Sequence, residues 1–91
     1  VIKVWHAIKP TFGFSQLAFP TDYELVAHVD TDDLDVAFEL TNHISNEWWL
    51  NEDVQCVKQG RSTSVGDVLE LNNKLYRCEM AGWSEIAIVP N

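Results

Sequence analysis

The chain has 91 residues, enough for one domain with a single core and too few for two. Its 46% hydrophobic and 22% charged residues are a globular composition, not that of a disordered tail. Fourteen acids against six bases give a net charge of -8, which argues against direct binding to nucleic acid.

No apolar run approaches the roughly 20 residues of a membrane span, so no membrane association is expected. Val1-Ile2-Lys3-Val4-Trp5 reads as a strand rather than a secretory leader. Cys56 and Cys78 are the only cysteines, fewer than a disulfide scaffold of this size carries, so free thiols and a reducing cytoplasm are expected. His6, His28 and His43 have no metal-ligand spacing with each other or with the cysteines, so no metal and no cofactor is expected.

In chain order, Ile2 to Ile8 alternates, with Ile2, Val4, His6 and Ile8 on one face. Pro10-Thr11-Phe12-Gly13-Phe14 ends that strand and opens a loop reaching Pro20. Tyr23 to Val29 is the second strand, its alternation placing Tyr23, Leu25, Ala27 and Val29 together. Asp30-Thr31-Asp32-Asp33 supplies helix caps and acids for a first turn. Leu34, Ala37, Phe38, Thr41 and Ile44 then share one helical face, and a principal amphipathic helix is predicted over about 32-45. His43 falls at its end, where it would complement the helix dipole.

Asn46 to Asp53 reads as a helical turn or short second helix. It contains Trp48 and Trp49, which cannot both enter one core because helical neighbours lie about 100° apart. Val68 to Leu71 and Lys74 to Met80 are strands joined by Asn72-Asn73, a hairpin signal because asparagine tolerates positive φ. Gly82 turns the chain into a last strand, Trp83 to Val89. The order β-β-α-(α)-β-β-β predicts a single α+β domain over 1-91, a mostly antiparallel sheet with one principal helix packed on it.

Charge is strongly segregated. Between Pro10 and Val57 there are ten acids and no Lys or Arg, so the helix and its flanks hold all the net negative charge. Two readings follow. One is a solvated face that keeps the protein soluble. The other is a surface for a basic partner, with Asp32, Asp33, Asp35, Glu39, Glu47, Glu52 and Asp53 as charges and Trp48 and Trp49 as aromatic anchors. Such a face would imitate part of the charge of duplex DNA.

No catalytic motif is present, neither a phosphate-binding glycine loop nor a nucleophile elbow nor His-Glu-x-x-His, so an enzyme is not expected. Arg61, Ser62 and Ser64, with Thr63 between them, offer a guanidinium and hydroxyls before Gly66 and form an alternative anion or small-ligand site. The structural reading of the same run has Ser62 and Ser64 bonding backbone, Gly66 turning the chain and Asp67 capping that turn.

The run Arg61-Ser62-Thr63-Ser64-Val65-Gly66-Asp67-Val68, then a hairpin carrying Tyr76, then Gly82-Trp83-Ser84-Glu85-Ile86, resembles the pattern of YodL-like proteins of bacteria, phages and plasmids. Asp30 to Phe38 is similar to the acidic helix start of such chains. Trp83-Ser84 departs from the pattern, which has Phe followed by Lys or Glu. The resemblance covers about 26 residues well. It implies a phage or mobile-element setting, where small acidic proteins bind and inhibit host factors, and it carries over no catalytic residue.

Together these readings predict a non-enzymatic interaction protein whose partner is a basic-surfaced host protein that handles nucleic acid. The alternatives are a ligand-binding domain and a self-associating structural protein, for example a homodimer.

Overall fold

The computed structural model describes residues 1–8, 18–44 and 46–87. Residues 10–17 of the loop predicted to reach Pro20, and the predicted strand end beyond 87, lie outside the described residues. The architecture is α+β, a six-stranded antiparallel sheet with one α-helix on it. Its strands are β1 (Ile2–Ala7), β2 (Tyr23–Val29), β3 (Val54–Cys56), β4 (Val68–Leu71), β5 (Lys74–Cys78) and β6 (Trp83–Ile86). They lie in the order β3-β2-β1-β4-β5-β6. Three-residue β3 is a strand the sequence pattern did not reveal.

Alternation in β1 sends Ile2, Val4 and His6 to the helix side, where all three are buried, while Ile8 beyond the strand is exposed. Trp5 and Ala7 face the opposite side and pack with Phe19, Tyr23, Val68, Leu75 and Ile86. The predicted common face of β2 does not hold. Its register with β1 shifts between Val4 and Trp5, pairing Val4 with Ala27 but Trp5 with Leu25. Val26 is the extra residue of this bulge, and an extra residue switches every later side chain to the other face. Tyr23 therefore packs beside Trp5, whereas Val26, Ala27 and Val29 join the helix-side core.

That core gathers Ile2, Val4, Val26, Ala27, Val29, Ala37, Trp48, Val54 and Leu69. Each fully buried Val, Leu or Ile among them is worth about 1.5–3 kcal/mol relative to exposure. Asn72 and Asn73, at φ 52° and 65°, join β4 to β5 in the expected two-residue hairpin.

The helix α1 runs Leu34–Leu40, shorter than the predicted 32–45. Asp33 caps it by accepting hydrogen bonds from the Asp35 and Val36 N–H groups at 2.9 and 3.2 Å. At its other end the Thr41 hydroxyl donates to the Ala37 carbonyl at 2.8 Å and the Asn42 side-chain amide donates to the Phe38 carbonyl. The Phe38 carbonyl and, through the Asn51 side-chain amide at 2.7 Å, the Leu40 carbonyl thus accept from side chains in place of a further turn, and the helix stops. His43 lies outside it and cannot act on its last turn as expected. The segment after it forms a 3-10 turn at Trp48–Leu50. Among the described residues no helix is long and apolar enough to cross a membrane.

Candidate functional site

The loop from Gly60 to Asp67 ties together β1, β2, the end of α1 and the 3-10 turn. Asp67, 1% exposed, is enclosed by donors. The Arg61 guanidinium grips both its oxygens, at 2.6 and 2.8 Å, while the Ala7 and Ser64 N–H groups donate to it at 2.8 Å each. Bidentate pairing of this kind is the strongest form of charged hydrogen bond, and it holds the Arg61 pKa above its ordinary value. Gly66 at φ 95° allows the turn, and its carbonyl accepts from the Tyr23 hydroxyl at 3.0 Å.

A second set of bonds crosses the core beside it. The Thr41 hydroxyl donates to a carbonyl, so its oxygen is free to accept, and the Thr63 hydroxyl donates to it at 2.8 Å. With its own proton committed, Thr63 accepts from His6 Nε2 at 2.8 Å. This order fixes the neutral imidazole as the Nε2–H tautomer. Burial lowers the His6 pKa, against the pull of the Asp67 carboxylate and with the help of the Arg61 charge. The Trp48 indole N–H donates to the Gly60 and Arg61 carbonyls at 3.1 and 2.9 Å, and the Ser62 hydroxyl accepts from the His43 N–H at 2.9 Å. No buried side-chain polar atom among the described residues lacks a partner.

This arrangement changes the outlook for Arg61, Ser62 and Ser64 as an anion site. The protein's own Asp67 carboxylate occupies the guanidinium fork, and Ser62 serves the backbone. An external anion would have to displace a buried carboxylate that holds two backbone N–H groups. Ser62, Gly66 and Asp67 perform the structural tasks their types suggest, whereas the Ser64 hydroxyl accepts from the Arg61 guanidinium at 3.2 Å instead of bonding backbone.

The acidic residues are placed differently. Asp32, Asp33, Asp35 and Glu39 are exposed on or before α1, and Glu47, Glu52 and Asp53 are exposed after it. Asp33 is engaged as the helix cap, and Asp35 accepts from the Trp83 indole N–H at 3.0 Å. Asp30, Glu52 and Asp53 line one recess at the β2–β3 edge together with His28 and Gln55. Among the described residues no three His, Cys, Asp or Glu side chains converge in a metal-binding group. Three of the six bases are engaged elsewhere: Lys58 with Glu24 at 2.8 Å, Arg61 with Asp67, Arg77 with Glu79 at 2.9 Å. Within the described residues no Lys or Arg pairs with an acid between positions 30 and 53.

The two tryptophans separate sharply. Trp48 is completely buried, so it is a core residue and cannot serve as the aromatic anchor it was expected to be. Trp49 is half-buried, meeting Trp48 and His43 edge-to-face at 5.4 and 5.5 Å between ring centres. It lines an open surface recess with His43, Ile44, Asn46 and Glu47. Ile44 and Asn46 also line an adjoining recess with Glu39, Leu40, Asn42 and Asn51. Of the predicted residues the structure thus brings Glu39, Glu47 and Trp49 to one continuous stretch of surface. It adds Ile44, which is 73% exposed and which helical periodicity had assigned to the core.

Compared with known proteins, the chain matches no family model, no curated protein and no solved structure.

Proposed function

We propose that this chain is a non-enzymatic acidic interaction protein that binds the basic surface of a host protein handling nucleic acid and inhibits it. The observation that carries this reading is the largely uncompensated charge between positions 30 and 53, where exposed acids have no Lys or Arg partner among the described residues and Asp32 alone pairs with a cation, the Val1 amino group at 3.2 Å. A face that served solubility alone would be expected to mix both signs, because interspersed pairs are worth a few tenths of a kcal/mol each. The resemblance of 61–86 to YodL-like proteins supplies the phage or mobile-element setting.

Magnitudes limit how far the likeness to DNA goes. The longest extent of the described backbone is 34 Å, over which duplex DNA carries about 20 charges. Ten acids lie between Pro10 and Val57, so the face reaches at most about half that density. Charge would bring the partner in and orient it, and apolar contacts at Ile44, Trp49 and Leu50 would have to supply much of the lasting affinity. Ile44 and Leu50 are 73% and 63% exposed.

The test is capture of host proteins on the immobilised chain, washed at low and then high salt, beside a variant carrying Asp32→Lys, Glu39→Lys and Glu52→Lys. None of these three side chains caps the helix or enters the core. One dominant nucleic-acid-handling partner is expected, retained by the native chain at low salt, released as salt screens the contact, and absent from the variant. Equal retention on the folded variant would remove the acidic face from the interaction.

A further inference from the structure

The recess beside Trp49 has a chemistry narrower than general acidity. Its lining is His43, Ile44, Asn46, Glu47 and Trp49. Glu47 is exposed, has no cationic partner among the described residues, and stands next in the chain to the fully buried Trp48. Trp48 is anchored by its indole N–H on Gly60 and Arg61 and by its backbone N–H on His43 Nδ1 at 3.3 Å. The 3-10 turn that carries Glu47 and Trp49 is therefore pinned to the core from both sides, although its outer surface is open. His43 is fixed in turn by its N–H on the Ser62 hydroxyl. Hydrogen bonds thus tie the floor of the recess to the core.

We infer that this recess takes an arginine side chain presented by the partner protein, an assignment that rests on the acidic-interaction reading and gives its site a specific occupant. Charge complementarity selects a cation: the lining holds the Glu47 carboxylate and no Lys or Arg. An aromatic ring and a carboxylate together select arginine over lysine. The planar guanidinium stacks on indole while its fork meets a carboxylate, and it gives up hydration more readily than an ammonium. Ile44, shared with the adjoining recess, receives the aliphatic stem of that side chain or an apolar neighbour of it. Glu39, in the adjoining recess, offers a second carboxylate for a further basic residue.

The experiment uses the peptide acetyl-Gly-Leu-Arg-Gly-amide and its citrulline counterpart, which keeps the shape and loses the charge. Binding to the whole chain is followed at low salt by the backbone amide and tryptophan indole NMR signals. The arginine peptide is expected to move the signals of residues 43–49 and of the Trp49 indole with millimolar affinity, and the citrulline peptide to bind at least about fivefold more weakly. Glu47→Gln should weaken the arginine peptide by about fivefold, and Glu52→Gln with Asp53→Asn by less than about twofold. Equal weakening by both variants, or shifts spread over all the acids, would overturn the arginine recess while leaving the acidic face in place. Absence of shifts at 43–49 with about 10 mM peptide would overturn it as well. The two readings fail separately, because the charge-reversal variant keeps Glu47 and Trp49 and alters only Glu39, in the adjoining recess, among the residues assigned here, whereas Glu47→Gln leaves the other acids of the face in place.

Discussion

His6 illustrates how one buried side chain ties stability to pH. It is 3% exposed, and its Nε2–H begins a line of hydrogen bonds that ends on the α1 backbone at Ala37. Burial keeps the folded imidazole below its ordinary pKa, and the nearby Asp67 carboxylate at 3.9 Å only partly offsets this. In the unfolded chain an exposed imidazole titrates near about pH 6.5. Below that value the unfolded state therefore binds more protons than the folded one, and stability falls as pH falls. The contribution is complete above about pH 6.5 and is lost as pH drops from there through the lower folded value. The interval between pH 5 and 7 is where this contribution is read, and comparison with a variant lacking only His6 separates it from every other titrating group. The urea midpoint is expected to decline across that interval, and His6→Gln, which can still donate to Thr63, should flatten the decline. A midpoint that is flat with His6 present would show that the imidazole is not held neutral.

At the scale of elements, α1 has only seven residues, too few to be stable alone, so its ends matter as much as its packing. Asp33 belongs to the fold because it caps the first turn, whereas Glu39, on the same short helix, makes no comparable bond among the described residues. Asp33→Ala is expected to cost about 1 kcal/mol of stability, and Glu39→Ala to stay within about 0.5 kcal/mol. Urea unfolding measures both; equal costs would show that the two acids have the same role.

Elements with local causes could be read from the sequence. The alternation of β1, the caps before Leu34 and the positive φ of Asn72 and Asn73 each act within a few residues. What escaped depends on distant partners. The β2 bulge exists only against β1, and three-residue β3 only because β2 offers it an edge. The helix stops early where its last carbonyls meet side-chain amides, that of Leu40 meeting Asn51, 11 positions away. Likewise the fate of Trp48 rests on the carbonyls of Gly60 and Arg61, and no neighbour of the Trp-Trp pair announces them. The candidate acids were legible as charges, but Ile44, Asn46 and His43 joined Glu47 and Trp49 only once that turn was placed.

For the whole molecule, the separation of charge has an energetic consequence whether or not a partner is present. Ten acids lie between Pro10 and Val57 while the bases sit outside that segment, and three of those bases are already paired, Lys58 with Glu24 of the segment and Arg61 and Arg77 with Asp67 and Glu79 outside it. The acids left without a base repel one another, and the folded state holds them closer than the unfolded chain does. Salt relieves this, because the screening length falls from about 30 Å at 0.01 M to about 3 Å at 1 M. The buried Asp67–Arg61 pair should respond far less, since screening by mobile ions acts mainly on exposed charges. Thermal stability is therefore expected to rise with sodium chloride over the tens to hundreds of millimolar, opposite to a fold held together by surface ion pairs. The variant with Asp32→Lys, Glu39→Lys and Glu52→Lys should start more stable at low salt and gain little from added salt. The same salt that weakens partner capture thus strengthens the free protein, which separates loss of binding from loss of folding. If the melting temperature of the native chain does not rise with salt, its acids are not concentrated enough to repel one another, and they would attract a basic surface correspondingly weakly.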